Sequence, residues 1–210
     1  MIFDYFQRQV LYPCYYCQHQ HFKHDILSYA DGRMLCKDCA KHIIVSRENL
    51  QVVAQWVLKQ IEDLGLKFIR GHTYVSLVSK EKMISLGFDQ AEGLATNIIA
   101  TDMFFKNKHL NAQIYVIYGM PTANLVWVLS HEIGHVLVSQ HQYQFNTREA
   151  EEGFCQLIAL LVSQKSQNPL MPRVLYKEFN NPDPVYGDEL RKAYEAYKQQ
   201  GFSNYFRAFI

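Results

Sequence analysis

The sequence lacks any apolar run that approaches the roughly 20 residues a membrane-spanning helix requires. It also lacks an excess of either charge, because 21 lysines and arginines meet 20 acidic residues and leave a net charge of +1. The basic residues are spread along the chain and form no stripe that would attract a phosphate backbone. Composition therefore predicts neither a membrane nor a nucleic acid as the partner.

An export signal is missing as well. The first residues, MIFDYFQRQVLYPC, contain no basic start, no continuous apolar stretch and no small-residue cleavage site. We therefore expect a cytoplasmic protein. The 210 residues, of which 49% are hydrophobic, suffice for one domain with a buried core, alone or with a small appendage.

Cysteines are few, but their spacing is informative. Four of the five form two CxxC pairs, and 18 residues separate the pairs. The paired residues are Cys14, Cys17, Cys36 and Cys39. This spacing is typical of a closed four-cysteine zinc site, and without an export signal such pairs are more often metal ligands than disulfides. We predict a metal-stapled module at residues 1–44, with a hairpin turn at Asp31-Gly32 and with His19, His21 and His24 in exposed loops.

Beyond this module, at residues 45–210, the pattern changes from strands to helices. A helix is predicted to begin after Ser46 and to end at Gly65, and the strands follow within residues 66–118. The predicted strands are Thr73–Ser79, Gly93–Thr101 and Ala112–Tyr118, and the predicted later helices are Thr122–Gln140, Thr147–Lys165, Pro172–Phe179, Asp188–Gln199 and Ser203–Phe209. Strands first and helices afterwards favour an α+β fold.

The segment HEIGH lies on the first of the later helices. His131 and His135 are four residues apart, so that both imidazoles share one helix face and can reach one metal ion. Glu132 beside them can take a proton from a metal-bound water and later deliver it to a leaving amine. Gly134 would let a neighbouring element approach closely. The strand at Ala112–Tyr118 precedes this helix, and an edge strand beside a metal helix commonly holds an extended peptide.

A catalytic zinc normally takes three protein ligands and leaves one position open, so a third ligand is required. Acidic residues at a helix start can simply complement the helix dipole, but Glu152 begins the apolar stripe of the next helix and is the predicted ligand. Glu151 is the alternative. Gly153 would permit close packing under the metal, and Gln156, one turn on, could hold a ligand by a hydrogen bond. Cys155 is expected to be a buried core residue.

Several blocks along the chain, in the same order, resemble one protein family. The blocks are Cys14–Cys39, Tyr118–Pro121, Ser130–His135, Glu151–Gln156 (EEGFCQ) and Pro184–Asp188 (PVYGD). Together they resemble the C-terminal portion of the plant ubiquitin-activated LIM peptidases that limit organ size, with the first block similar to a partial LIM module. Ubiquitin-interacting helices and a complete LIM domain are absent from the sequence, so a minimal relative is expected, with a microbial source as one candidate.

The resemblance implies a zincin-like domain that cleaves regulatory proteins in the cytoplasm. It implies His131 and His135 as zinc ligands and Glu132 as the general base. With the cysteine spacing, two zinc ions are expected, one catalytic and one structural. Tyr186 in the PVYGD block has two interpretations: a phenol that donates to the oxyanion of the reaction, or a packed aromatic at a helix start that Asp188 caps.

The sequence thus predicts an endopeptidase that acts on proteins or peptides. An alternative is a non-catalytic zinc-bearing adaptor that binds a regulatory protein partner through the LIM-like module. A third interpretation is a latent peptidase that a partner or a modification must open.

Overall fold

The computed structural model describes residues 10–67, 73–89, 91–101 and 108–207. Short strands come first, a mixed sheet follows, and long helices make up the C-terminal half. The strands are β1 (Leu11–Pro13), β2 (Gln20–Phe22), β3 (Ile26–Ser28), β4 (Met34–Cys36), β5 (Ile43–Ile44), β6 (Thr73–Val78), β7 (Gly93–Thr101), β8 (Lys108–Ile117) and β9 (Met120–Pro121). The α-helices are α1 (Lys37–Ala40), α2 (Arg47–Asp63), α3 (Lys80–Ser85), α4 (Thr122–His141), α5 (Arg148–Ser163), α6 (Met171–Phe179), α7 (Glu189–Gln200) and α8 (Phe202–Arg207). Helices combined with small sheets make this the predicted α+β fold.

The long helices begin close to the predicted residues because their caps are local in sequence. Ser46 and Thr147 each accept a hydrogen bond of 3.2 Å from the backbone N–H three residues later, which starts α2 and α5. Helix α3, which Ser79 caps in the same way, was not predicted and lies inside the region assigned to strands. The predicted end of the last helix, Phe209, lies outside the described residues.

The main sheet has the order β6-β8-β7, with β8 parallel to β6 and antiparallel to β7. The predicted strand Ala112–Tyr118 forms most of β8 and is central, which corrects the expectation that it would be the edge strand beside the metal helix. Its apolar run fits a strand that is paired on both sides. The edge strand next to α4 is β7, where a Cβ on Gly93 would lie 2.5 Å from Cγ1 of Val128.

The core is built around α4, which is buried along most of its length because it carries apolar residues on nearly all sides. It packs against the sheet on one side and antiparallel to α5 on the other. At their crossing, a Cβ on Gly134 would lie 3.0 Å from Sγ and 3.1 Å from Cα of the buried Cys155. Gly134 therefore permits the close approach that the sequence predicted. Within the described residues, no helix has the length and apolarity needed to cross a bilayer.

The cysteine-rich segment is joined to the helical part by backbone pairing. Strands β3 and β4 form the expected hairpin, in which Gly32 takes φ +85° in the turn. Strand β5 then pairs antiparallel with β9, with Ile44 opposite Met120. Because β9 runs directly into α4, the end of the cysteine-rich segment is fixed beside the start of α4.

A buried arginine makes a second connection between these parts. The side chain of Arg33 is 2% exposed and forms an ion pair of 2.7 Å with Asp31. Its guanidinium also donates to the hydroxyl of Tyr16 at 2.6 Å and to the carbonyl of Tyr118 at 2.7 Å. The last bond reaches the segment that precedes α4, so the Arg33 side chain connects the hairpin to the residues that lead into α4.

Candidate metal centres

Helices α4 and α5 bring three side chains to one point. Nε2 of His131 lies 3.1 Å from Nε2 of His135, and Oε2 of Glu152 lies 3.3 Å and 3.4 Å from these two nitrogens. The two histidines share a face because they are one helical turn apart. Glu152 reaches them from the antiparallel helix, as the inward stripe of α5 predicts.

The triangle of donor atoms has the dimensions of a zinc site. Bonds of 2.0–2.1 Å at tetrahedral angles place two ligand atoms about 3.3–3.4 Å apart, which is close to all three separations. Oε2 of Glu152 is buried and has no hydrogen-bond partner among the described residues, as expected for an atom that completes a metal site. Two imidazoles and one carboxylate also leave a tetrahedral position open, so these residues fit a catalytic zinc ion.

The charges around the triangle favour a cation. Burial acts to raise the pKa of Glu152, but the adjacent imidazoles of His131 and His135 outweigh it and hold the pKa well below its usual range. Burial likewise acts to lower the pKa of His135, and contacts with Cys155, Glu151 and Glu152 outweigh it and raise the pKa. The centre therefore keeps an ionised carboxylate among nitrogen donors in a largely enclosed place.

Glu151, the alternative ligand, occupies a different position. Its Oε1 lies 2.9 Å from Nδ1 of His135, on the side of the ring away from the triangle. A carboxylate there fixes the tautomer of a ligand histidine and directs Nε2 toward the metal. Glu152 thus belongs to the triangle of donor atoms, whereas the adjacent Glu151 contacts the outer nitrogen of His135.

Two neighbours of Glu152 differ from their predicted roles. Gly153 faces α7 rather than the metal, because a Cβ there would lie 2.9 Å from the carbonyl oxygen of Glu189. Gln156 is 5% exposed, and its Oε1 has no hydrogen-bond partner within the described part of the chain. Its amide oxygen therefore accepts no hydrogen bond from a ligand histidine, and the residue lines a cleft beside the site.

Glu132 lies next to the triangle and against the edge strand. A Cβ on Gly93 would lie 2.9 Å from Oε1 of Glu132, so only glycine permits this approach. The carboxylate also accepts a hydrogen bond from the backbone N–H of Ala95. Burial raises the pKa of Glu132, and the nearby His131 and His135 oppose the rise. Strand β7 thus positions the carboxylate that sequence analysis predicts as the base.

A cleft of about 520 Å³ opens onto this carboxylate. Its walls come from the chain before β7 and the start of β7, from α4, from one residue of α5, from the end of α6 and from the chain between α6 and α7. The lining residues include Glu92, Gly93, His131, Glu132, Gln156, Lys177, Glu178 and Tyr186. An edge strand beside such a cleft can pair with an extended peptide.

Tyr186 lies on the wall of this cleft. Its ring centroid is 6.4 Å from that of His131, and 41% of the residue is exposed. Burial raises the pKa of Tyr186, with a smaller contribution from Glu152, so the phenol keeps its proton. The cap of the turn Pro184–Asp188 is Asp183, which accepts from the N–H groups of Val185 and Tyr186. Asp188 stands at the N-cap position of α7, as predicted, but its side chain makes no capping hydrogen bond.

The four paired cysteines form a second cluster near the N-terminal end of the described chain. Their sulfur atoms all lie within 4.8 Å of one another, and Sγ of Cys17 is 3.8 Å from Sγ of Cys36. Zinc–sulfur bonds of 2.3 Å at tetrahedral angles require a separation of about 3.8 Å, so the cluster fits a closed zinc site. The N–H of Cys36 donates to Sγ of Cys14 at 3.3 Å, an interaction that stabilises a thiolate.

The nearby histidines lie outside this cluster. His19 and His24 are exposed, as predicted. His21 is partly buried in β2 opposite Tyr12, which corrects its assignment to an exposed loop. The described side chains near the four sulfurs therefore give no histidine in the ligand group.

Comparison with known proteins identifies the family. A family model described as DA1-like, Protein DA1, matches residues 54–170, which is more than half of the chain. The chain belongs to this family. The match confirms the predicted resemblance and includes the HEIGH helix and the EEGFCQ block, whereas the cysteine cluster and the PVYGD block lie outside the matched residues. No curated protein and no solved structure matches the chain.

Proposed function

We propose that this DA1-like chain is a zinc-dependent endopeptidase with a zincin-like catalytic domain. The observation that carries the proposal is the triangle of His131, His135 and Glu152, with the carboxylate of Glu132 beside it in a cleft. The donor set matches a three-ligand zinc site, and the family match covers these elements. The substrates we propose are peptide bonds in proteins.

Each residue then has a distinct task. A zinc ion held by the triangle would supply an acidified water and a polarised scissile carbonyl. Glu132 accepts the proton of the attacking water as the oxygen bonds to the carbonyl carbon, and it returns this proton to the nitrogen as the C–N bond breaks. Its raised pKa suits both transfers, because a base works best when its pKa lies near the operating pH. The N–H of Ala95 keeps the carboxylate in place.

The cleft and the edge strand suit an extended substrate. Among the described strands, β7 has no partner on the side away from β8, so part of this edge can pair with a peptide backbone. Gly93 lets the strand lie close to Glu132. Tyr186 is proposed to donate its phenolic proton in a hydrogen bond to the oxyanion that forms during attack. Its place on the cleft wall near His131 supports this role.

The cysteine cluster is proposed to hold a second, structural zinc ion. In this proposal residues 1–44 form a LIM-like module and residues 45–210 the peptidase domain. The pairing of β5 with β9 and the bond from Arg33 to Tyr118 support a module that stabilises the catalytic part, and its exposed surface remains open to a regulatory protein partner. A cytoplasmic location is part of the same proposal.

The direct test uses Glu132→Gln, which keeps the shape of the side chain but removes its basicity. A mixed peptide library is incubated with each purified protein, cleavage is followed by mass spectrometry, and zinc is measured in the same samples. Wild type should cleave and Glu132→Gln should not, with two zinc ions in both. Glu149→Gln, a matched change at an exposed carboxylate near Glu152 and outside the triangle, should keep its activity.

Equal cleavage by wild type and Glu132→Gln would exclude the mechanism. Cleavage by neither purified protein, followed by cleavage only by wild type after cell extract is added, would indicate the latent form. No cleavage under either condition, with both zinc ions bound, would favour the adaptor.

A further inference from the structure

The cleft contains charged groups that the hydrolytic mechanism does not use. Glu92 is partly buried and lines the same cleft as His131 and Glu132. It directly precedes Gly93, the residue packed against the catalytic carboxylate. Glu92 therefore lies in the same cleft as Glu132, next in sequence to the residue that contacts it.

The position of Glu92 is fixed from outside the peptidase domain. The hydroxyl of Tyr15, which lies between the paired Cys14 and Cys17, donates a hydrogen bond to Glu92. Burial and the charge of Glu92 raise the pKa of Tyr15 to about 12, so this hydroxyl remains a donor at ordinary pH. The cysteine module thus contacts a residue of the cleft wall without lining the cleft itself.

Among the described lining residues, carboxylates outnumber ammonium groups at this end of the cleft. Lys177 lies 3.1 Å from Glu178. Burial raises the pKa of Glu92, and the charge of Lys177 opposes the rise, so that one ammonium serves two carboxylates. Glu132 is a third carboxylate of the described lining, and the more distant Arg33 already forms its ion pair with Asp31.

An independent feature points to a donor-rich ligand. Gln156 lines the same cleft and is 5% exposed, and its Oε1 has no hydrogen-bond partner among the described residues. A buried amide oxygen without a partner costs free energy unless a ligand or a water molecule donates to it. The carboxylates and this oxygen are all acceptors, and a lysine or arginine side chain carries donors and a positive charge.

We propose that Glu92 is a specificity-determining residue that binds a basic side chain of the substrate beside the scissile bond, with Tyr15 holding it in place. This inference rests on the proposed peptidase function, and it names the substrate class as protein segments that carry Lys or Arg at the cleavage site. Arginine fits best, because its guanidinium can bond to Glu92 and reach a second acceptor at the same time.

The test compares matched peptides that carry arginine or its neutral isostere citrulline at positions around the cleavage site. Wild type should show kcat/KM about tenfold higher for the arginine peptide, the size expected for one charge-assisted hydrogen bond. In Glu92→Gln the ratio should fall to about one. Tyr15→Phe should reduce the ratio partly, through a raised KM. Glu195→Gln, a matched change on the exposed face of α7, should keep the wild-type ratio.

A variant that acquires a new substrate preference must still be folded, so it separates a loss of selectivity from misfolding. Glu92→Lys should reverse the preference, so that a peptide with glutamate is cleaved faster than its glutamine counterpart. Melting temperature and zinc content are measured for every variant. An unchanged arginine-to-citrulline ratio in Glu92→Gln, or the absence of any preference in wild type, would overturn the inference.

Peptide binding separates this inference from the peptidase proposal. The Glu132→Gln protein is titrated with labelled arginine and citrulline peptides, and fluorescence anisotropy gives both dissociation constants. Tighter binding of the arginine peptide that disappears in Glu132→Gln/Glu92→Gln supports the inference even if no peptide is cleaved. Cleavage without this binding difference would leave the peptidase proposal standing and remove the role of Glu92.

Discussion

At the scale of single residues, the adjacent glutamates Glu151 and Glu152 make different contacts at the candidate metal centre. Consecutive residues on a helix point about 100° apart, so Glu152 enters the triangle while Glu151 meets the outer nitrogen of His135. Sequence reasoning favoured Glu152 because it starts the apolar stripe of α5. It had no means of finding the contact between Glu151 and Nδ1 of His135, because that contact depends on how far apart the two helices pack.

The two glutamates should therefore differ in their effect on metal binding. Glu151→Gln should weaken zinc at the catalytic site by about 10–100-fold, as is typical when a hydrogen-bond partner of a ligand is lost. Glu152→Gln should weaken it more, because a charged ligand is replaced by a neutral one. Competition with a chromophoric chelator measures both affinities. A larger loss from Glu151→Gln would reverse the two assignments.

Tyr186 offers a second test at this scale. If its phenol donates to the oxyanion, Tyr186→Phe should lower kcat by about 100-fold and leave KM and zinc content nearly unchanged. Steady-state kinetics on one cleavable peptide gives both constants. Tyr176→Phe removes the hydroxyl of a 74% exposed tyrosine outside the catalytic cleft, and should have no effect. Equal turnover by Tyr186→Phe and wild type would leave Tyr186 a packing residue.

At the scale of elements, the distance between α4 and α5 decides whether the triangle can form. Gly134 faces the backbone of Cys155, so these helices lie closer than two helices with larger residues would. The histidine spacing was readable from the sequence because it depends on one helix alone. The order of strands was not readable: Ala112–Tyr118 was expected at the edge of the sheet, but it lies in the central strand β8, and β7 lies at the edge. A central strand needs partners on both sides, and only the folded chain shows which strands supply them.

Gly134→Ala tests this spacing. Alanine usually stabilises a helix by up to about 1 kcal/mol relative to glycine. Here its Cβ would lie 3.1 Å from the Cα of Cys155, so the helices must separate, and a net destabilisation of about 1–3 kcal/mol is expected. Chemical unfolding measures the change, and zinc affinity should fall with it. A more stable variant with unchanged zinc affinity would show that a Cβ at residue 134 fits between α4 and α5.

At the scale of the whole molecule, backbone pairing and the contacts of Arg33 join the cysteine-rich segment to the helical part. The sequence identified the four cysteines by their spacing but gave no sign of the role of Arg33, because its partners Tyr16 and Tyr118 are distant along the chain. The pairing of β5 with β9 was not predicted either, because the two strands lie far apart along the chain and each is only two residues long. Contacts between distant segments are set by packing, which a local pattern does not encode.

Replacing Arg33 should therefore affect the entire fold. Arg33→Met leaves the carboxylate of Asp31 without its partner, and breaking such a buried pair costs about 3–5 kcal/mol. Lys59→Met, which breaks an exposed pair with Asp63 on α2, should cost about 0.5 kcal/mol or less. Urea unfolding of the two variants measures the difference. Similar small losses in both would mean that Arg33 does not join the two parts.

The loss of unfolding free energy in Arg33→Met should depend on pH in a defined direction. Burial acts to raise the pKa of Asp31, but the hydrogen bonds from Arg33 outweigh it and hold the pKa below its usual value. A group with a depressed pKa contributes stability above its unfolded pKa of about 4 and loses that contribution as the pH falls through the folded pKa. The gap in unfolding free energy between wild type and Arg33→Met should therefore narrow below about pH 4. A gap that widens on acidification would contradict the ion pair.

The most direct measurement of the central claim is the appearance of new protein N-termini in a cell lysate. Zinc-loaded wild type and zinc-loaded Glu132→Gln are each incubated with the lysate, which also supplies any activator, and the N-termini are identified by mass spectrometry. The account predicts a set of new N-termini with wild type that is absent with Glu132→Gln. The same set with both proteins, or none with either while both hold two zinc ions, would contradict it.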